Sequence, residues 1–346
     1  MRYELPASPD KAIWDIWLSV HRLPAMAVAD QLGVFRALHS KPATAEEAAR
    51  EFGFNRRATE VLLSLLTALG LLALRDGRHE LTDATRTYLL PESPYYWGPL
   101  LRVLGVVPQQ HDALINALRA PDGATAPPTI PSGADDPADA WQRGHIDRAQ
   151  AEIVTRLMHC HSLPASVGVA RNGGLEGVTR LLDVGGGSGC FSIAIAQHFP
   201  SIRCTVLELP AVCDRALDYI AEGRVADRVD TVSMDMFRDP WPRGYDGMFF
   251  SNIFHDWNAD TNLMLAQRAF ESLEPGGRIF LHEMLLAEDG SGPVTTASFS
   301  MVMLLGTQGR QYSFAELEQL LTRAGFADVT SRPSYGYYSV VGGRKA

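Results

Sequence analysis

Apolar positions recur at helical spacing in the first third of the chain and in strand–helix alternation over its last half. From Lys11 to Leu38, two sets of residues repeat at three- and four-residue intervals: Trp14, Trp17, Leu18 and His21, then Ala25, Val28, Ala29 and Leu32. This predicts a helix kinked or restarted at Pro24. Thr44, three residues before Glu47, reads as a capping box for a helix through Arg50. Asn55 caps a second helix, Arg56 to Leu69, that Gly70 ends. Leu71 to Leu74, a turn at Asp76-Gly77, and His79 to Leu81 form a small hairpin. Helix, helix, hairpin is the layout of a winged helix. A recognition helix presents polar and basic side chains to a groove. After Arg56 and Arg57 this one becomes a wall of leucines at 62, 63, 65, 66 and 69, so the expected role is dimerisation, with the apolar cluster covered by a partner.

Tyr95 to Leu118 is a further helical stretch, expected to form a pocket wall, and 121–140, rich in Pro, Gly, Ala and Asp, reads as a surface loop. Helix returns over Trp141 to Arg171. Met158 and His161 share one of its faces, whereas His159 and His161, two apart, do not, so those two make a poor metal site. From Thr179 the pattern alternates. Strands are expected at 180–184, 203–208, 229–233, 246–252, 277–285, 327–332 and 336–343, and helices at 188–198, 210–222, 260–274 and 313–324. That is an α/β doubly wound sheet, in which ligands bind at the carboxyl ends of the strands. The expected division is a winged-helix-like dimerisation domain at 1–100, a helical linker and pocket wall at 101–175, and a catalytic domain at 176–346.

A net charge of −9 argues against a broad nucleic-acid-binding surface. The cysteines at 160, 190, 204 and 213 contain no CxxC pair and are expected reduced, in a cytoplasmic protein. The N-terminus lacks a signal-peptide pattern, and the longest apolar run, Val61 to Leu74, is too short to span a membrane.

The chemistry collects after the strands. Arg180 to Ser192 reads as a strand, a turn with four glycines in five positions, and a helix start. Such a turn lets backbone amides approach a ligand closely. Asp183 precedes it, and Glu208 ends the next strand, where an acid suits a ribose diol. Asp235 and Met236 follow the third strand, where they suit an aromatic base such as adenine, or equally a helix cap and a core methionine. His255 follows the fourth strand, beside Asp256 and Trp257, and imidazole is the natural general base near neutral pH. Glu283, in the fifth strand, would be a buried carboxylate, and the partner that suits it is His255.

Taken together, LLDVGGGSG, VLELP, DMF, FHDW, EPGGRIFLHEM and QYSFAELEQLLTRAGF resemble the S-adenosylmethionine-dependent small-molecule methyltransferases of the plant-type O-methyltransferase family. That family includes caffeate and acetylserotonin O-methyltransferases and bacterial antibiotic-tailoring enzymes. The resemblance covers nearly the whole chain and implies S-adenosylmethionine as cofactor, a homodimer and a secondary-metabolite substrate. It implies that Asp183, Gly185 and Gly187 line the cofactor's methionine end and that Glu208 holds its ribose. Asp235 and Met236 hold its adenine, with Ser251 and Trp257 nearby. His255 matches the catalytic base and Glu283 the first of two acids that hold it. Met158, His161, Asp256, Met303 and Thr307 match substrate-side positions. The second acid is replaced by Gln311, and a neutral amide does not stabilise an imidazolium as a carboxylate does.

The favoured reading is O-methylation of a hydroxyl, with Phe254, Phe299, Met301, Met303, Tyr95 and Trp97 as an apolar pocket wall for a flat aromatic substrate. Gln311 keeps open C-methylation of an aromatic ring or α-keto acid. Two other readings are a family member that has lost methyl transfer and a winged-helix DNA-binding regulator. The acidic charge and the leucine wall count against the last. No metal, membrane or nucleic-acid partner is expected. His255 and Asp256 alone make a thin metal site.

Overall fold

The computed structural model describes residues 2–93, 96–98, 101, 108–121, 141 and 144–346. Tyr95 and all but the first residue of the expected 121–140 loop lie outside the described residues. The chain divides into two compact units. One comprises Met1–Lys11, Ser132–Leu285 and Phe314–Ala346; the other comprises Ala12–Pro131 and Leu286–Ser313.

The second unit is helical around one small hairpin. Its N-terminal stretch is broken into separate helices rather than kinked within one. It is three helices, Lys11–Leu18, Arg22–Gln31 and Val34–Ser40, with a 3-10 turn at Ser19–His21. Pro24 sits in the first turn of the second helix, where a missing N–H costs little. The helix therefore restarts just ahead of Pro24, as expected, and a second break falls at Gly33, whose φ of 77° suits glycine. Thr44 and Glu47 form the expected capping box of Ala45–Phe52, and Asn55 caps Arg56–Ala68 by accepting the Ala58 amide. Strands β1 (Leu72–Arg75) and β2 (Arg78–Leu81) pair antiparallel.

The leucines of Arg56–Ala68 do not wait for a partner. Leu62, Leu63, Leu65 and Leu66 are buried in this unit's own core, against Ala297, Met301 and Leu304 of the helix Val294–Gly306. The chain's later segment therefore supplies the cover that was expected from another subunit. The first helix is among the places where apolar side chains are exposed, with Ile13 68% and Ile16 71% exposed.

The first unit holds a seven-stranded sheet in the order β5-β4-β3-β6-β7-β9-β8. The strands are β3 (Arg180–Val184), β4 (Arg203–Glu208), β5 (Val229–Ser233), β6 (Tyr245–Ser251), β7 (Leu273–Met284), β8 (Ala327–Tyr335) and β9 (Tyr338–Arg344). Strands β3 to β7 pair in parallel, and β9 joins β7 antiparallel. Their central strands are near-continuous apolar runs because helices cover both faces of such a sheet. The order reverses between β3 and β6, which opens a crevice at their carboxyl ends. Trp141 is itself helical, and the long helix of this region runs from Arg148 to Asn172. Asp147 sets that start by accepting the Gln150 amide in a capping box.

Leu66 has no exposed surface in the second unit's core. Leu66→Ala is expected to lower stability by about 2–5 kcal/mol in urea unfolding. A change below about 1 kcal/mol would mean that this core is loosely packed.

Candidate active site

The turn after β3 is shaped by its glycines. Gly185 has φ 68°, and a Cβ there would lie 2.5 Å from Ile253 Cδ1, in the turn that follows β6. Its positive φ is what calls for glycine, since the end of the Ile253 side chain could move aside. Gly187 has φ 55° with nothing within 4 Å of a Cβ position, so its face is open. Beneath the turn, Asp183 is 1% exposed, and its Oδ2 accepts the Ser192 hydroxyl at 2.7 Å. Its Oδ1 is buried without a partner. Burial pushes this carboxyl up to about 7, with neighbouring Glu208 adding to the shift and the Ser192 bonds opposing it.

Glu208 ends β4 and is buried. Its Oε2 accepts the Leu209 amide at 2.9 Å and the Trp141 indole N–H at 3.3 Å. Burial raises its pKa against these bonds. Gly185, Glu208, Trp141, Asp235 and Met236 line one cleft. Asp235 Oδ1 accepts the Phe237 amide at 2.8 Å, and its Oδ2 pairs with Arg238 at 2.5 Å. The Met236 carbonyl accepts from Trp241 and Arg268. Trp257 is buried edge-on to Phe237, with ring centroids 4.8 Å apart. The Ser251 hydroxyl bonds to His282 Nδ1 at 2.9 Å.

The turn after β6 carries His255 in a 3-10 segment, Phe254–Asp256. It is entered through Asn252, whose φ is 55°. Glu283 holds this turn. Its Oε1 accepts the Ile253 and Phe254 amides at 3.2 and 3.0 Å. Its Oε2 stands 3.0 Å from His255 Nδ1. On the other side of the ring, Nε2 lies 3.6 Å from Asp256 Oδ1. Asn262 ties down the turn's far end by donating to the Phe254 and Trp257 carbonyls at 2.7 and 3.1 Å. Burial pushes the His255 pKa down, but Glu283 and Asp256 together push it further up, leaving it above its ordinary value. Burial also lifts the Asp256 carboxyl to about 6, opposed by His255.

On the long helix, His161 Nε2 lies 3.4 Å from Met158 Sδ, so the two share a face as their spacing predicts. Burial, with His255 repelling, lowers the His161 pKa to about 4. The remaining expected residues belong to the second unit. There the Thr307 amide and hydroxyl both bond to the Met303 carbonyl, and the Gln311 amide donates to Ser300 Oγ at 3.1 Å. Three residues expected in a pocket wall are packed into cores. Phe254 lies edge-on to Phe250, Phe299 packs against Trp14 and Trp17, and Met301 joins the leucine core. Trp97 is half-exposed. Sequence reasoning missed Trp141 and Asn262. A tryptophan just ahead of a capped helix was a usable signal for the first; nothing local marks the second.

Residues 137–327 match the O-methyltransferase domain, and residues 14–91 match the O-methyltransferase dimerisation domain. The chain is 35% identical to 3-hydroxy-5-methyl-1-naphthoate 3-O-methyltransferase of Streptomyces sahachiroi, over 96% of this chain and 94% of that one. It is 30% identical to L-tyrosine C(3)-methyltransferase of Streptomyces lavendulae, over 86% and 81%. An O-methyltransferase family 2 protein from Planctomyces limnophilus, solved in complex with apigenin, superposes with a TM-score of 0.87 at 26% identity, covering all of both chains. The chain belongs to the O-methyltransferase family. It is a methyltransferase that uses S-adenosylmethionine. The cleft and the turn beside it suit that cofactor: the cleft has glycine backbone at Gly185 and a carboxylate at Glu208, and the turn has an open face at Gly187 above the buried, unpartnered Oδ1 of Asp183.

The raised His255 pKa means that its attraction to Glu283 stabilises the fold fully below about pH 6.5, the ordinary imidazole value. That contribution fades as pH rises through the higher folded value. Glu283→Gln is therefore expected to cost more stability at pH 6 than at pH 9. It should also lower the His255 pKa in a ¹H–¹³C NMR titration of the imidazole. An unchanged titration would break the link between the two residues.

Proposed function

We propose that His255 is the general base of an O-methylation on a hydroxyl of an aromatic secondary metabolite. The observation that carries this reading is the imidazole fixed between two carboxylates at the crevice where the strand order reverses. With Nδ1 directed to Glu283, Nε2 is the nitrogen left to take a proton. When bound, S-adenosylmethionine supplies a methyl group on a positively charged sulfur. The residues then have two tasks, to orient the acceptor and to remove its proton. A phenol with a pKa near 10 is scarcely ionised at neutral pH, so a base within hydrogen-bond reach is worth roughly 10²- to 10⁴-fold. Glu283 stabilises the imidazolium that forms. Gln311 is assigned the orienting part of the second acid that it replaces.

In this reading Asp183, Gly185 and Gly187 hold the methionine end of the cofactor, and Glu208 holds the ribose. Asp235 and Met236 hold the adenine, with Ser251 and Trp257 beside them. Met158, His161, Asp256, Met303 and Thr307 face the substrate. A hydroxynaphthoate-like acceptor is the model, taken from the Streptomyces sahachiroi relative. The exposed apolar first helix supports a homodimer built on the dimerisation domain. The reduced cysteines and acidic charge support a cytoplasmic protein without a nucleic-acid partner. Among the described residues, no helix is long and apolar enough to cross a membrane. A second reading, C-methylation, is favoured by the L-tyrosine C(3)-methyltransferase relative and by glutamine at 311.

Incubation with ¹³C-methyl S-adenosylmethionine and a panel of hydroxynaphthoates, catechols and aryl pyruvates tests this. NMR should show an O–¹³CH₃ product whose rate falls about 10²- to 10⁴-fold in His255→Ala. The rate should rise with pH through a value above 6.5, as the imidazole loses its proton. A C–¹³CH₃ product, or full activity in His255→Ala, overturns the assignment.

A further inference from the structure

His159 has no part in the mechanism above, yet three contacts hold it. Its Nδ1 shares a 2.8 Å hydrogen bond with the hydroxyl of Ser188. Its ring stacks on Tyr219, with centroids 4.2 Å apart and planes 20° apart, and meets Tyr3 edge-on at 6.2 Å. Burial lowers its pKa, with Glu222 opposing, so the ring is held neutral. Ser188 lies between Gly187 and Gly189, both at positive φ, and is itself 3% exposed. A turn with four glycines in five positions loses much conformational entropy when it is ordered. Ser188 is the turn's one side chain, and therefore its one handle.

We propose that His159 is a positioning residue that fixes the tip of the glycine turn, through Ser188, to the helix that carries Met158 and His161. The helix Arg148–Asn172 and the turn then order together. The two aromatic rings fix the imidazole, the imidazole fixes the Ser188 side chain, and the serine fixes the backbone amides on either side of it. The consequence falls on cofactor affinity, because the turn no longer has to be ordered by the ligand. The inference rests on the glycine turn being the cofactor's seat.

The test is calorimetric titration with S-adenosylhomocysteine of the full chain and of four variants: His159→Phe, Ser188→Ala, the double variant, and His159→Asn. The asparagine amide reaches the place of Nδ1. His159→Phe and Ser188→Ala should each weaken binding about 3- to 10-fold, the worth of one net hydrogen bond. The double variant should bind no worse than either single one, and His159→Asn should restore most of the loss. Wild-type affinity in His159→Phe, additive losses in the double variant, or no rescue by asparagine would each overturn the proposal. Ser188→Ala removes only a hydroxyl and gives the same reading against His159→Asn if the phenylalanine variant does not fold. Failure of the wild-type chain to bind S-adenosylhomocysteine would instead strike at the cofactor seat itself.

Discussion

One carboxylate carries the site. Glu283 is 2% exposed, and a buried carboxylate is costly unless it is paired and hydrogen-bonded. It finds three partners in the same short turn: two successive backbone amides and the imidazole of His255. One oxygen accepts both amides and the other stands 3.0 Å from the imidazole, so the acid and the turn share one geometry. The amides at 253 and 254 can face one point only if the chain bends sharply after β6, as Asn252 at φ 55° makes it do. The strained residue, the buried acid and the proposed base are thus one structural unit.

The sheet sets where that acid stands. Ser251 pairs with His282 across β6 and β7, which leaves Glu283 one residue beyond the last paired position of β6. Successive side chains on a strand point to opposite faces. His282 accordingly turns away into a dry layer, between the hydroxyls of Ser251 and Ser334 and stacked on Tyr338. Burial pushes its pKa down to about 3, with His255 adding to the effect, so it stays neutral. Two adjacent residues, His282 and Glu283, thus serve opposite purposes. One braces the strands, and the other charges the crevice.

Much of this was legible in the sequence, because the sheet's strands are short apolar runs and its ligand-side residues come just after them. The strands from Arg180 to Ser233 fall where the pattern put them, and the match of Glu283 to His255 followed from a buried acid needing a partner. What was not legible depends on distant packing. The leucines of Arg56–Ala68 look like an interface until a helix from 238 residues further on, starting at Val294, covers them. Of the kink or restart that Pro24 signals, the restart is observed, with the proline in a first turn where it is tolerated, whereas the second break at Gly33 was not foreseen. Phe254, Phe299 and Met301 have the composition of a pocket wall, and a core has the same composition. Ser188 acts through a side-chain hydrogen bond to His159 on a separate helix, and Asn262 through bonds back to the turn just before its own helix, and neither is recorded by a hydrophobic pattern.

The central claim is that Glu283 builds the turn as well as orienting the imidazole. Native-state hydrogen exchange at the amides of Ile253 and Phe254 measures this most directly. In the wild-type chain both should exchange as slowly as amides in the middle of β6. In Glu283→Ala both should become fast, while the β3 and β4 amides keep their protection. Rapid exchange of both in the wild type, or unchanged protection in the variant, would contradict the account. In either case the turn would be held by something other than this carboxylate.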